Sequence, residues 1–234
     1  MSQEYLGDTF DINGGAVDLI FPHHENEIDQ SEAKTGKKFC NYFLHGEHLL
    51  VDGQKMAKSL NNFYTLKDLE AKGYDLLAYR YLILTAGYRD RLNFTWESLG
   101  SASNALNKLR VEIRAWESPN LVDPNFWQRF LEAANNDLGI PQAVVVMWDL
   151  IKSDLPSGIK SATLLKMDEV LGLNLKKYVG KPIEIPENVQ RLVSERENSR
   201  ISGDFKKSDT LRQKVKKLGF EIEDTAEGSK VKKI

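Results

Sequence analysis

The stretch Phe21-Pro22-His23-His24-Glu25-Asn26-Glu27 gathers two of the chain's four histidines and two carboxylates directly after the apolar run Leu19-Ile20-Phe21. Pro22 suits the first turn of a helix, where its missing N–H leaves nothing unbonded. In a helix starting there, His23 and Glu27 stand four apart on one face. An imidazole and a carboxylate so placed can hold two corners of a tetrahedral zinc site. Taken alone, the same residues also read as a polar helix start whose acids complement the helix dipole. A second cluster, Lys55-Met56-Ala57-Lys58-Ser59, sets two ammonium groups three residues apart. With the Ser59 hydroxyl they can grip a polyphosphate and follow its charge through a transition state, or they can form a solvated basic loop. A third, Gly14-Gly15 followed by Asp18, allows a ligand close to the backbone or serves an ordinary turn.

The elements around these residues follow from periodicity and punctuation. Residues 8–21 predict a strand, a tight turn at Gly14-Gly15 and re-entry into the core. A helix is predicted from His23 to about Lys34, stopped at Thr35-Gly36. Phe39–His45 and Leu49–Val51 read as strands, the second running into the turn Asp52-Gly53 and so delivering the lysine cluster just past a strand end. Residues 65–86 read as one helix with Thr65 as N-cap, and Thr95 caps another over 96–117. Helices near 125–137, from Pro141 and over 157–172 complete an antiparallel bundle. Its aromatics, Trp116, Phe126, Trp127, Phe130 and Trp148, read as core. Beyond Pro182 and Pro186 come amphipathic helices over 187–200 and 204–217, the second capped by Asp204. The strand Phe220–Asp224, a hairpin turn at 225–228 and Lys230-Val231-Lys232 close the chain.

Composition narrows the class. With 234 residues, 41% hydrophobic and 28% charged, the chain is globular in character, sized for one large domain or two small ones. No run approaches the roughly 18 apolar residues of a membrane span, and no signal peptide opens the sequence, so a cytoplasmic setting is expected. The single cysteine, Cys40, rules out an internal disulfide framework and any zinc site built on CxxC pairs. The net charge of −2 is uneven: residues 191–234 carry twelve Lys/Arg against eight Asp/Glu, a local +4 on a body of −6. Such a basic tail is compatible with nucleic acid.

Taken together, DINGGAVDLIFPHHENEIDQSEA, KMAKSLNNF, YRYLILTAGYRDRLNF and the terminal GDFKKSDTLRQKVKKLGFEIEDTAEG resemble the cysteinyl-tRNA synthetases, a class I family, over nearly the whole chain. The fold so implied is α/β, then mostly α: the C-terminal part of a Rossmann-type catalytic domain, an antiparallel helical bundle of tRNA-binding type, and a small helix-plus-hairpin domain. The expected boundaries are 1–47 for the catalytic remnant with its zinc helix and 48–96 for the lysine loop and stem-contact region. The bundle follows at 97–181 and the small basic domain at 182–234. By the resemblance, His23 and Glu27 are zinc ligands, Lys55 and Lys58 are catalytic, and Gly14, Gly15, Asp18, Lys55, Met56, Lys58 and Ser59 bind ATP or the adenylate. The substrates are L-cysteine, ATP with Mg2+ and tRNA(Cys). Zinc favours a thiolate over a hydroxyl, a distinction that shape alone makes poorly.

Several positions depart from the family pattern. No HIGH-type signature and no Trp-His-x-Glu-Cys segment occur in these residues. The family's cysteine zinc ligands are therefore expected upstream of residue 1, along with an N-terminal half that catalysis needs, as part of one gene or as a second polypeptide. Cys40 matches no ligand and reads as a buried structural thiol. Asn13 stands where the family has His, Ala57 replaces the first serine of KMSKS, and Asn61 replaces a glycine, tolerable if that residue is left-handed, since Asn adopts that conformation more readily than most. Two other readings accompany this one. The first is a non-catalytic tRNA-binding or interaction module. The second is the related ligase joining cysteine to an amino-sugar, against which the tRNA-type C-terminal end counts.

Overall fold

The computed structural model describes residues 2–182, 185–225 and 228–233. Two compact units emerge, Met1–Lys108 with Pro119–Asn174, and Leu109–Ser118 with Leu175–Ile234.

The first unit opens with the short helix α1 (Ser2–Leu6) and the strand β1 (Phe10–Ala16), which pairs in parallel with β2 (Cys40–Gly46). The register sets Ile12 against Tyr42, Gly14 against Leu44 and Gly15 against His45. Helix α2 (Glu25–Thr35) makes the crossover between the two strands and ends on left-handed Gly36, whose N–H bonds the Glu32 carbonyl at 2.8 Å. The expected helix stop is therefore in place. The expected turn at Gly14-Gly15 is not: both glycines lie inside β1, because pairing with β2 continues to Ala16 opposite Gly46. Parallel strands are ordinarily covered on both faces. Here the paired Ile12 and Tyr42 remain 64% and 72% exposed.

A second sheet combines β3 (Leu50–Val51), antiparallel to β4 (Gln54–Lys55) and parallel to β5 (Asn93–Phe94). The β3–β4 turn is Asp52-Gly53, both left-handed, as the Asp-Gly pair predicts, and Gly53 N–H bonds Asn93 Oδ1 at 2.7 Å. The helix expected over 65–86 is instead two, α3 (Leu66–Ala71) and α4 (Leu76–Leu84). Gly73, left-handed, breaks the run, and the Asp75 carboxylate accepts Leu77 N–H to start α4 afresh. Thr65 caps α3 through Asp68, and Thr95 and Ser98 exchange reciprocal bonds at the start of α5 (Trp96–Ile113). That helix ends four residues short of the expected 117. Helices α6 (Pro124–Asn135), α7 (Ile140–Lys152) and α8 (Ser157–Leu171) pack on one another, with α4 against α7. Trp148 donates to the Tyr81 hydroxyl at 2.8 Å.

The second unit holds α9 (Glu187–Ile201), α10 (Phe205–Lys217) and the antiparallel hairpin β6 (Phe220–Thr225) and β7 (Gly228–Lys233). Asp204 caps α10, as expected, by accepting Lys207 N–H at 3.0 Å. Val189, Val193, Val215, Phe220 and Ile222 form its core. The tip of the hairpin, residues 226 and 227, lies outside the described residues. Arg196, 3% exposed, makes a two-pronged bond of 2.8 Å on each prong to Asp224, which also pairs with Arg200. No described helix is long and apolar enough to cross a membrane.

Candidate functional site

The carboxyl ends of β1 and β2 lie side by side, Ala16 opposite Gly46, the end of a parallel sheet where open α/β folds bind ligands. After Ala16 the chain makes a tight turn over Val17–Leu19 that carries exposed Asp18. A wider turn over Ile20–His24 follows, in which Phe21 is extended and the Phe21–Pro22 bond is cis, and α2 then begins at Glu25. The helix thus starts two residues later than expected. Glu27 falls in its first turn, and His23 sits in the turn that feeds it.

The two adjacent histidines have different fates. His23 is exposed, whereas His24 is 6% exposed. His24 Nδ1 and His45 Nε2 lie 2.8 Å apart, one ring nitrogen donating to the other, and Phe43 flanks both rings. The same imidazole lies on Gly15, where a Cβ would stand 2.7 Å from His24 Cε1 and 3.0 Å from Leu19 Cδ1. Gly15 is therefore explained by packing, while a Cβ on Gly14 would meet nothing within 4 Å. Glu27 Oε2 accepts a bond from Asn13 Nδ2 at 3.3 Å. Asn13, Gly15, His24 and Glu27 thus draw β1 and the helix start together.

As donors for zinc, His23 and Glu27 are chemically apt, and among the described residues no group of three or more His, Cys, Asp or Glu is arranged to hold a metal. Cys40 does not add a third donor. It is 2% exposed, its thiol contacts the Tyr42 carbonyl at 3.5 Å, and burial pushes its pKa up, away from the thiolate that zinc requires.

The lysine cluster sits on the second sheet. Lys55 ends β4, Ala57 is extended, residues 58–60 make one tight turn, and Asn61 is left-handed at φ 52°, the conformation in which Asn can take the place of a glycine. Lys55, Lys58 and Ser59 are exposed. Met56 faces the other way, into a cavity of about 380 Å³ shared with Leu49, Phe63, Leu66, Tyr79 and Phe94. Among the described residues, no hydrogen bond or ion pair joins Lys55 or Lys58 to Asp18, His23 or Glu27. Sequence reasoning missed two contributors, His45 and Asn62. His45 could have been suspected as a polar residue directly after the apolar run Tyr42-Phe43-Leu44, and Asn62 from its position closing the loop.

Residues 1–104 match the family model described as tRNA synthetases class I (C) catalytic domain. Along 99% of its length the chain is 43% identical to Cysteine–tRNA ligase 1 of Burkholderia lata, of which it covers 49%. It is 41% identical to Cysteine–tRNA ligase of Chlamydia caviae, with all of this chain and 53% of that protein matched.

The chain is similar to cysteine–tRNA ligases along its whole length.

It spans about half the length of the curated family relatives it matches. A relative from Borrelia hermsii, 38% identical over the full chain, gives the same proportion, 53%. Among solved structures, a LeuRS in complex with tRNA from Agrobacterium radiobacter K84 superposes with a TM-score of 0.55 at 11% identity, covering 71% of this chain and 26% of that one. That likeness shows a shared fold over the superposed part.

Proposed function

We propose that this chain carries the lysine-loop, zinc-helix and tRNA-contact parts of an ATP-dependent cysteine–tRNA ligase, working with an N-terminal half that bears the HIGH signature. The observation that carries the reading is the placement of Gly14–Asp18 and the PHHENE helix start at the carboxyl ends of a parallel strand pair. The likeness to cysteine–tRNA ligases over 99% of the chain supports it.

In this reading Gly14, Gly15 and Asp18 line the adenylate pocket. Lys55 and Lys58, with Met56 and Ser59 shaping their loop, hold the phosphates of ATP and its Mg2+ as the cysteine carboxylate attacks the α-phosphorus. Attack forms the C–O–P bond of cysteinyl-adenylate and releases pyrophosphate. His23 and Glu27 supply two of the four corners for zinc, which when bound prefers the sulfur of cysteine to the hydroxyl of serine. Asn13 holds Glu27, and His24 fixes the helix start on Gly15. Residues 97–181 and 182–234 carry tRNA(Cys). The second unit supports this with seventeen Lys/Arg against twelve Asp/Glu, a net +5. The setting is cytoplasmic.

The test is cysteine-dependent exchange of pyrophosphate into ATP by the chain together with the N-terminal half of a relative. Exchange is expected, and Lys58→Ala should slow it about 10²- to 10³-fold. The charge of the second unit favours a second reading, a non-catalytic tRNA-binding module. That reading expects salt-sensitive tRNA binding and no exchange in any combination.

A further inference from the structure

The lysine loop is shaped by one side chain. Asn62 Oδ1 accepts the Ala57 N–H at 2.8 Å, and Asn62 Nδ2 donates to the Lys55 carbonyl at 3.0 Å. The carbonyl of one residue and the N–H of the residue two further on lie along the same edge of an extended strand, the pair that a neighbouring strand would bond. Ala57 is extended, with φ −149° and ψ 141°. The Asn62 amide therefore stands in for one residue of a partner strand on the free edge of β4, the edge turned away from β3. The other bonds within the loop, Leu60 N–H to Ala57 and Asn61 N–H to Lys58, are local.

We propose that Asn62 is the positioning residue of this loop, fixing the extended backbone of residues 55–57 so that Met56 is held inward and Lys55 and Lys58 outward, toward the β- and γ-phosphates of a nucleoside triphosphate. The inference rests on the nucleotide reading of the loop given above. Its chemistry is specific to the primary amide. The change Asn62→Asp keeps the acceptor for Ala57 but sets a carboxylate against the Lys55 carbonyl, and Asn62→Ala leaves both groups to water.

The test uses the chain together with the N-terminal half of a relative, with MgATP and AMP as probes, amide hydrogen exchange at Ala57, and thermal unfolding. In Asn62→Ala and Asn62→Asp, Ala57 exchange should accelerate. MgATP affinity should fall about five- to tenfold, with AMP affinity unchanged because AMP lacks the phosphates the lysines reach. Equal losses for ATP and AMP would mean a merely structural role and overturn the proposal, as would unchanged ATP affinity. Unchanged exchange at Ala57 in either variant overturns it independently of nucleotide. Binding of neither nucleotide by the unaltered chain together with that half overturns the nucleotide reading of the loop, and the inference with it.

Discussion

The imidazole of His24 lies so close over Gly15 that a single methyl group on the glycine would stand 2.7 Å from its Cε1 atom. This contact, with the 2.8 Å bond from His24 to His45, ties the start of the PHHENE helix to both strands of the parallel pair. Gly15→Ala must therefore push the ring off its bond to His45, and overpacking of this kind costs about 1–3 kcal/mol. Gly14→Ala, one residue away in open space, should be neutral or stabilising by up to about 1 kcal/mol through the unfolded chain. Urea unfolding of the two variants checks the contrast, and equal effects would show that the ring does not depend on Gly15.

The second unit should weaken in acid through Asp224. The bond from Arg196 holds the Asp224 carboxyl below the usual carboxylate range, with the charges of Arg196, Arg200 and Arg212 adding to it. A carboxyl whose folded value is depressed contributes stability above its unfolded value, about pH 4, and loses it as pH falls through the folded value. Asp224→Asn leaves Arg196, 3% exposed, without its counter-charge. The expected cost at pH 7 is about 2 kcal/mol, less than for a fully buried pair because the carboxylate side is partly in water. Amide exchange along Phe220–Asp224 reads it, and the gap between variant and parent should close below about pH 3. A gap that persists in acid would show that the charge pair is not its source.

Zinc should bind this chain weakly. Two donors, His23 and Glu27, hold zinc far less firmly than four, so dialysis against zinc followed by a mild chelator should leave the chain metal-free. Whatever binds weakly should vanish in His23→Ala. Near-stoichiometric zinc retained by the chain alone would mean that a second copy completes the site.

Binding of tRNA(Cys) should fall steeply with salt. Lys206, Lys207 and Lys214 are exposed on α10. Neutralising each to Gln should reduce the slope of log affinity against log salt by up to about one unit for every phosphate left without its lysine. Filter binding from low to moderate ionic strength measures it. A slope indifferent to all three changes would move the RNA-binding surface elsewhere.

What could be read in the sequence is tied to short-range rules. The stop at Gly36, the turn Asp52-Gly53, the caps Thr65, Thr95 and Asp204 and the left-handed Asn61 all depend on one residue and its immediate neighbours. The PHHENE block and the lysine loop were legible because their residue order is itself the signature. The double glycine was misread as a turn, since the register that keeps Gly15 opposite His45 is set by residues thirty positions away. Likewise, Gly73 breaks one apparent helix into two, although the apolar periodicity runs across it. The His24–His45 pair and the Asn62 bridge were invisible for a related reason. Each joins residues whose proximity exists only once strands have paired.

Cys40, the chain's one thiol, sits in β2 beneath this arrangement, 2% exposed and with its pKa pushed up by burial. Alkylating reagents attack only the thiolate, so modification must wait until β2 parts from its surroundings. The labelling rate in native buffer is thus a clock for transient opening of the sheet that carries Gly15 and His45. Any ligand that tightens that sheet will slow the clock without touching the sulfur.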